Sequence, residues 1–546
     1  MFVKKNCLFC LLCIVITLSG CITAQKSGSD LELLEDIAFY DTVPEAYAAK
    51  GYCEWSETDN AIYYFSYGSD EEKTQLVRKA ETVIQMAVNQ YQVQPMVPTE
   101  KFTVSFRKDS VKYSGNGLSI GVEINPQDRN QAGVLTYFIS GGQLPAWLCI
   151  GLEQYWLDGN GICNLEINKD IDTADWYQRA IYKGLPALGD EWLIPGLITD
   201  ELSQEVPSVA YAFVSYLDDK NQLPQMIESY LDSQTQRKAE QMRNGLWSEF
   251  TKIESAQENE YVFYYILNQY MYSPYQKDML FCVKGKNGNY FYSDADWWTI
   301  EKAKEYAYSG ESSIVYVKNW FDEQHEEILN VHYIVDDGTP SISGQFSAGG
   351  YIFTKISKWS EPIGVAHEVV HVMLDFCQLH TKGFDDKGYN YELSRNCLEE
   401  GICDYIANSF LMDTDNPIIM NAIADYLPSY IKIGLGEEYW EKYQLKLNEK
   451  NSKNIVDAIM LADLIGLKDI EEYDMIKKAE DTGEKLQYLL GQGSITSFVF
   501  YLFELNDDKE EFKKVYKDAA YIEEVYGKDL NSLIEDWFEY LDDTYM

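Results

Sequence analysis

Histidine is nearly absent from this chain. His325, His332, His367, His371 and His380 are the five in 546 residues, so two of them meeting in one motif cannot be put down to abundance. Positive charge is also short: 45 lysines and arginines stand against 88 aspartates and glutamates, a net charge of −43. Such a surface repels nucleic acid and anionic lipid heads, which excludes both as partners. Beyond the first twenty residues no apolar run approaches the roughly 20 needed for a membrane-spanning helix. Cysteine gives no disulfide framework. After Cys21, seven remain at irregular spacing (Cys53, Cys149, Cys163, Cys282, Cys377, Cys397 and Cys403). A bridge among the last three is one option, with buried thiols the default. Apolar residues make up 46% of the chain and tyrosines number 43, which excludes disorder. The length suits two to four domains rather than one core.

The N-terminus does have an apolar run. Met1 to Lys5 carries two lysines, Cys7 to Leu18 is almost wholly apolar, and Leu18-Ser19-Gly20-Cys21 follows. A basic start, a short apolar stretch and small residues before a cysteine make a secretory signal peptide, and its end resembles the bacterial lipobox. That resemblance implies cleavage before Cys21, diacylation of its thiol and a chain held on the bacterial cell surface, at the outer face of the cytoplasmic membrane. The lipid would be its only membrane contact. Cys7, Cys10 and Cys13, spaced like metal ligands, fall in the discarded leader. Residues 22–36 read as a polar tether.

From there the chain echoes itself. Phe213, Val214, Tyr216 and Leu217 recur in register as Phe498, Val499, Tyr501 and Leu502. Leu148, Gly151 and Tyr155 pair with Leu398, Gly401 and Tyr405. Ser114 to Ile120 resembles Ser347 to Phe353, a glycine-rich approach to a strand. Each half opens with an aromatic strand, Ile62 to Tyr67 and Tyr290 to Tyr292, followed by a charged helical stretch. The expectation is an α+β protein of two tandem domains, mainly helical with a small mixed sheet each. They should span 37–254 and 280–546, joined by 255–279, with 411–490 a helical insertion in the second.

The chemistry lies in the second half, where His367-Glu368-Val369-Val370-His371 is a His-Glu-x-x-His motif. On a helix the histidines stand about 40° apart around the axis, so both imidazoles lean to one face, as two nitrogen ligands of a tetrahedral zinc must. Glu368 is placed beside the metal, where a general base belongs. Val369, Val370, Val372 and Met373 would wedge the helix into a core. Catalytic zinc needs a third protein ligand, and the run Glu399-Glu400-Gly401 offers two.

With these residues the chain resembles the gluzincins, the superfamily of thermolysin and the aminopeptidase N family, over Ser347 to Leu502. In many members the second zinc helix has a glutamate directly before Gly-x-x-x-Tyr. The resemblance selects Glu400 as third ligand of Zn2+ and makes Asp404 the aspartate that hydrogen-bonds a ligating histidine. It also implies that Gln345 to Ile352 is an edge strand that pairs with peptide backbone. In the loop from His380 to Arg395, Tyr389, Tyr391 and Arg395 are candidates to stabilise an oxyanion, Tyr391 foremost. Two departures stand out. The gap from His371 to Glu400 is longer than in many members, and the Gly-Ala-Met-Glu-Asn element that captures a substrate's amine is missing, so an aminopeptidase is unsupported. The first half, aligned on Gly151, has Gly133, Tyr137, Ile150 and Gln154 where the second has His367, His371, Glu400 and Asp404; it resembles a degenerate copy without metal. The resemblance implies a surface-anchored zinc peptidase acting on peptides or proteins. A surface binding or structural protein on the same scaffold is the alternative, and an intact Glu368 separates the two.

Overall fold

In the computed structural model the described residues are 37–90, 101–108, 121–126, 132–162, 167–182, 187–197, 200–254, 260–267, 279–322, 328–335, 346–348, 350–376, 391–421, 456, 459–460, 464, 495–517 and 521–545. The leader with Cys21, the tether, residues 114–120, Tyr389 and nearly all of 422–494 lie outside them.

The first half builds a four-stranded sheet from β1 (Glu54–Glu57), β2 (Ala61–Phe65), β3 (Phe102–Phe106) and β4 (Gly121–Ile124), in that order. β1 and β2 are antiparallel, and β2, β3 and β4 are parallel. Helix α1 (Asp70–Gln85) crosses from β2 toward β3 and starts on a capping box, Ser69 and Glu72 each bonding the other's backbone N–H. Helices α2 (Val134–Ile139), α3 (Ala146–Gly159), α4 (Asp200–Asp219) and α5 (Gln236–Thr251) follow.

The second half repeats the plan. Its sheet comprises β5 (Val262–Tyr265), β6 (Met279–Lys284), β7 (Gly288–Ser293), β8 (Leu329–Val335), β9 (Phe346–Ala348) and β10 (Tyr351–Ile356), ordered β5-β6-β7-β8-β10-β9. β6 and β7 are antiparallel, and β7, β8 and β10 are parallel, so β6-β7-β8-β10 matches β1-β2-β3-β4 in order and direction. Two strands are extra. β5 lies in the segment expected to be a junction, and β9 is the edge beyond β10, within the span expected to be an edge strand. Helix α6 (Ile300–Trp320) follows β7 as α1 follows β2, with Thr299 capping its first turn. Then come α7 (Ala366–Phe376), α8 (Tyr391–Asp413), α9 (Ile495–Leu505) and α10 (Lys509–Lys517). The expected insertion therefore starts inside α8, whose last turn is Leu411 to Asp413; beyond it, residues 417–421 are helical.

The halves also share a buried hydrogen-bond set that spacing did not reveal. In the first, Glu81 of α1 accepts from Tyr63 Oη (2.7 Å), Asn60 Nδ2 (2.7 Å) and the Thr58 hydroxyl. In the second, Glu311 of α6 accepts from Tyr290 Oη (3.0 Å) and Asn287 Nδ2 (2.9 Å). Asn, Tyr and Glu occupy equivalent places on strand and helix, and each set ties the long helix to the sheet it covers.

Packing agrees. One buried cluster runs from Ala61 to Trp247. A second takes in Tyr261 to Leu541, with Ile194 from the first half. In each, a helix presses a glycine on its neighbour. A Cβ on Gly151 of α3 would come 2.6 Å from Val214 Cγ2 and 2.7 Å from Ala210 O in α4. One on Gly401 of α8 would come 2.6 Å from Val499 Cγ2 and 3.1 Å from Ile495 Cγ1 in α9. Alanine in a helix interior gains about 1 kcal/mol over glycine, but overpacking costs about 1–3 kcal/mol. Gly401→Ala should therefore lower the thermal midpoint; a midpoint at or above wild type would contradict the close approach. Asp190 joins the halves: 1% exposed, it accepts from Ala146 N (2.8 Å) and Trp147 N (2.9 Å) at the start of α3 and from Tyr265 N (3.0 Å) of β5. Burial pushes its carboxyl up to about 7 against those three donors.

Candidate metal centre

The segment before α7 fixes where its first turn sits. Gly364 has φ +98°, and a Cβ there would come 2.3 Å from Ser313 Oγ of α6, so both conformation and space call for glycine. The same Ser313 hydroxyl accepts from Val365 N at 3.1 Å. From this anchor α7 buries Val369, Val370, Val372, Met373 and Leu374, and His367 and His371 emerge on its other side, toward α8.

The two imidazoles lie 5.1 Å apart between centroids, and each is held from behind. Asp404 Oδ1 accepts from His367 Nδ1 at 2.7 Å, and Glu399 Oε1 from His371 Nδ1 at 3.0 Å. A carboxylate only accepts, so each Nδ1 carries the proton and each Nε2 faces forward. In front of both is Glu400, with Oε2 3.3 Å from His367 Nε2 and Oε1 3.6 Å from His371 Nε2. Two further helices brace the outer carboxylates. Thr496 of α9 donates to Asp404 Oδ2 at 2.6 Å, and Tyr516 of α10 to Glu399 Oε2 at 3.4 Å.

These distances test the fit of a metal. N–H···O hydrogen bonds run about 2.7–3.2 Å, and both Glu400 separations exceed that. Ligands about 2.0–2.2 Å from a tetrahedral zinc are about 3.4 Å from each other; His367 Nε2 to Oε2 and His371 Nε2 to Oε1 of Glu400 are close to that spacing. Neutral imidazoles with Nδ1–H would also aim two lone pairs at an anion, an arrangement that a cation between them resolves. Without one, protons do that work. Desolvation opposes it, yet Asp404 and Glu400 raise His367 to about 10, and Glu399 and Glu400 raise His371 to about 9. The two imidazoles that face it, His367 first and then His371, hold Glu400 down to about 2. The donor set could hold a divalent cation.

Glu368 points elsewhere. It is 4% exposed, and its Oε2 is buried with no hydrogen-bond partner. Burial raises its pKa, opposed by His367 and His371. A carboxylate kept off the metal, unpaired and raised, has the properties of a proton acceptor. The side chains of Glu400, His367 and His371 are 42%, 26% and 15% exposed, so the front of the centre reaches the surface.

The structure brings His367, His371, Glu400 and Asp404 together, with Glu368 beside them. Tyr391 is the first residue of α8, and its side chain lies outside the described residues, as does that of Arg395. Spacing did not assign Glu399, Thr496 or Tyr516; the paired Glu399-Glu400 was a signal for the first, since neighbours on a helix diverge by 100° and can serve two different atoms. Cys403 was missed as well. Its sulfur lies within 4.8 Å of the histidine donors, and burial pushes the thiol well above its ordinary range. His332 is a core residue, fully buried and stacked between Phe291 and Phe353 at 4.8 Å each, its Nδ1 3.2 Å from Ile352 O.

The equivalent place in the first half cannot be built this way. Gly133 has φ +85°, and a Cβ there would lie 2.6 Å from Ile150 N. Ile150 is 2% exposed, and Gln154 is buried with Nε2 unpaired. Among the described residues, the group with donor atoms gathered closely enough for a metal is His367, His371 and Cys403, on α7 and α8. Compared with known protein families, with curated proteins and with solved structures, the chain matches none.

The backing of His367 is directly testable. Carboxylates behind a ligating histidine are worth about 10–100-fold in metal affinity, so Asp404→Asn should weaken zinc binding by that factor in a competition titration with a chromophoric chelator. An unchanged affinity would mean that His367 is not a ligand.

Proposed function

We propose that this chain is a surface-anchored zinc peptidase of the gluzincin type, with zinc held by His367, His371 and Glu400 and with Glu368 as general base. The observation that carries the reading is the division of labour among carboxylates. Glu400 faces both Nε2 atoms, Asp404 and Glu399 stand behind the rings, and Glu368 is left unpaired. A purely structural zinc site has no use for that last group.

Bound there, zinc supplies Lewis acidity: it polarises an amide carbonyl and makes water acidic enough to attack near neutral pH. The residues do the rest. Glu368 takes a proton from the attacking water as the new C–O bond forms, then delivers it to the departing amine nitrogen as the C–N bond breaks. Burial, by raising Glu368, brings its pKa closer to the working pH. Asp404 and Glu399 keep both imidazoles in the Nδ1–H tautomer. The backbone of β9, at the edge of the sheet among the described residues and in contact with α7, would pair with an extended peptide, and Tyr391 is the proposed oxyanion partner. Digestion of a peptide library by the mature chain, read by mass spectrometry, tests the activity: zinc-dependent cleavage is expected, and no cleavage by zinc-loaded protein would leave a surface binding protein as the reading.

We infer further that the halves descend from one duplicated unit. The matching strand directions, the Asn-Tyr-Glu set and the paired glycines support this, and the first half is then a copy that lost its ligands. For location, the sequence supports a lipid anchor on Cys21; among the described residues no helix is long and apolar enough to cross a membrane. Cys21→Ala should release the chain from membranes washed with carbonate. Equal retention of that variant would refute the anchor.

A further inference from the structure

The second half has another feature, built from residues that the metal centre does not use. β8 and β10 run parallel with Tyr333 beside Thr354, so these side chains stand on one face of the sheet. Tyr306 of α6 packs edge-on against Tyr333, centroids 5.0 Å apart. Past the end of β10 the chain turns sharply. Ser357 N donates to Ser360 Oγ at 2.9 Å, and the two serine hydroxyls lie 3.2 Å apart. Between turn, sheet end and helix is a cavity of about 290 Å³, lined among others by Tyr306, Tyr333, Thr354, Ser357, Trp359 and Glu361.

Folding alone does not account for two of these residues. Thr354 is 6% exposed, yet its hydroxyl has no hydrogen-bond partner, an arrangement proteins avoid unless a ligand or water completes it. Trp359 is 79% exposed, and the Lys358 ammonium sits 4.7 Å from its ring centroid, which leaves the opposite face free to stack. The tyrosine hydroxyls are already used, Tyr306 donating to Ser360 O at 2.7 Å and Tyr333 to Tyr306 O at 3.0 Å, so these rings act as apolar walls. At the same place in the first half, a cavity of about 70 Å³ is lined mainly by apolar residues such as Leu76, Ala80, Val83, Phe106 and Ile124. The hydroxyl lining belongs to the second half.

An occupant must offer an apolar face to an indole and several hydroxyls to threonine, serine and carboxylate, and carry no negative charge toward Glu361. The volume is at the lower end of small-molecule pockets, which begin near about 300 Å³, enough for one ring but not for a run of peptide. We propose that this cavity binds a neutral saccharide unit, a pyranose stacked on Trp359 with its hydroxyls toward Thr354 and Glu361. The site goes beyond the peptidase reading and rests on its own residues.

The test is titration of the full mature chain with glucose, galactose and N-acetylglucosamine, followed by tryptophan fluorescence and ligand-observed saturation-transfer NMR. At least one sugar should saturate in the millimolar range. Trp359→Ala, at an exposed position that folding does not need, should weaken it about tenfold or more. Thr354→Val, which keeps the shape and removes the hydroxyl, should weaken it several-fold, and metal removal with a chelator should leave it unchanged. No saturable response from any of the three sugars would overturn the proposal. So would wild-type affinity in Trp359→Ala, or binding that disappears with the metal.

Discussion

Glu368→Gln should retain a full complement of zinc and lose about 10²-fold or more of its peptide hydrolysis. The substitution keeps the side chain's shape and removes its ability to take a proton. Proton transfer by a positioned group contributes about 10²–10⁴-fold, and Glu368 is the buried carboxylate at the centre with an oxygen no other group occupies. It does not face the histidine Nε2 atoms as Glu400 does, so the metal should not register the change. The readouts are zinc content by elemental analysis and cleavage rate on whichever peptide the library identifies. A variant that cleaves as fast as wild type would remove Glu368 from catalysis and with it the peptidase reading.

Glu400→Gln should fail differently, with zinc and activity falling together. Its carboxylate is the anion that both Nε2 atoms face, at 3.3 and 3.6 Å, and the amide keeps the volume while losing the charge. Loss of a group behind a ligand costs about 10–100-fold in affinity; loss of an anionic ligand itself should exceed that range. Competition with a chelator measures it. Retention of wild-type affinity would shift the third ligand to Glu399 or Cys403. Together the two variants separate base from ligand, since either residue alone could abolish activity for the wrong reason.

Much of this was legible before any coordinates. The His-Glu-x-x-His spacing places two imidazoles on one helix face because helix geometry leaves them no other arrangement, and Val369, Val370, Val372 and Met373 showed which face would be buried. The echoes between halves proved to lie where two helices approach closely: Gly151 meets Val214, and Gly401 meets Val499. Other features were not legible. β5 is four residues long and lies in a stretch without turn signals to frame it, so Val262 to Tyr265 read as a junction although it pairs with β6. The Asn-Tyr-Glu sets join residues 18 to 24 positions apart, and no local periodicity encodes such a contact. Glu399 could not be separated from Glu400 by spacing, because which of the two faces forward depends on how α8 is rotated against α7. That rotation is set by Gly401 on α9 and by Thr496 on Asp404, both long-range.

Zinc content tests the account most directly. Purified mature chain, loaded with zinc and desalted, should carry one zinc per chain by elemental analysis, and the His367→Ala/His371→Ala double variant should carry none while its far-ultraviolet circular dichroism stays that of wild type. A wild-type chain without zinc, or a double variant that still holds one, would contradict it.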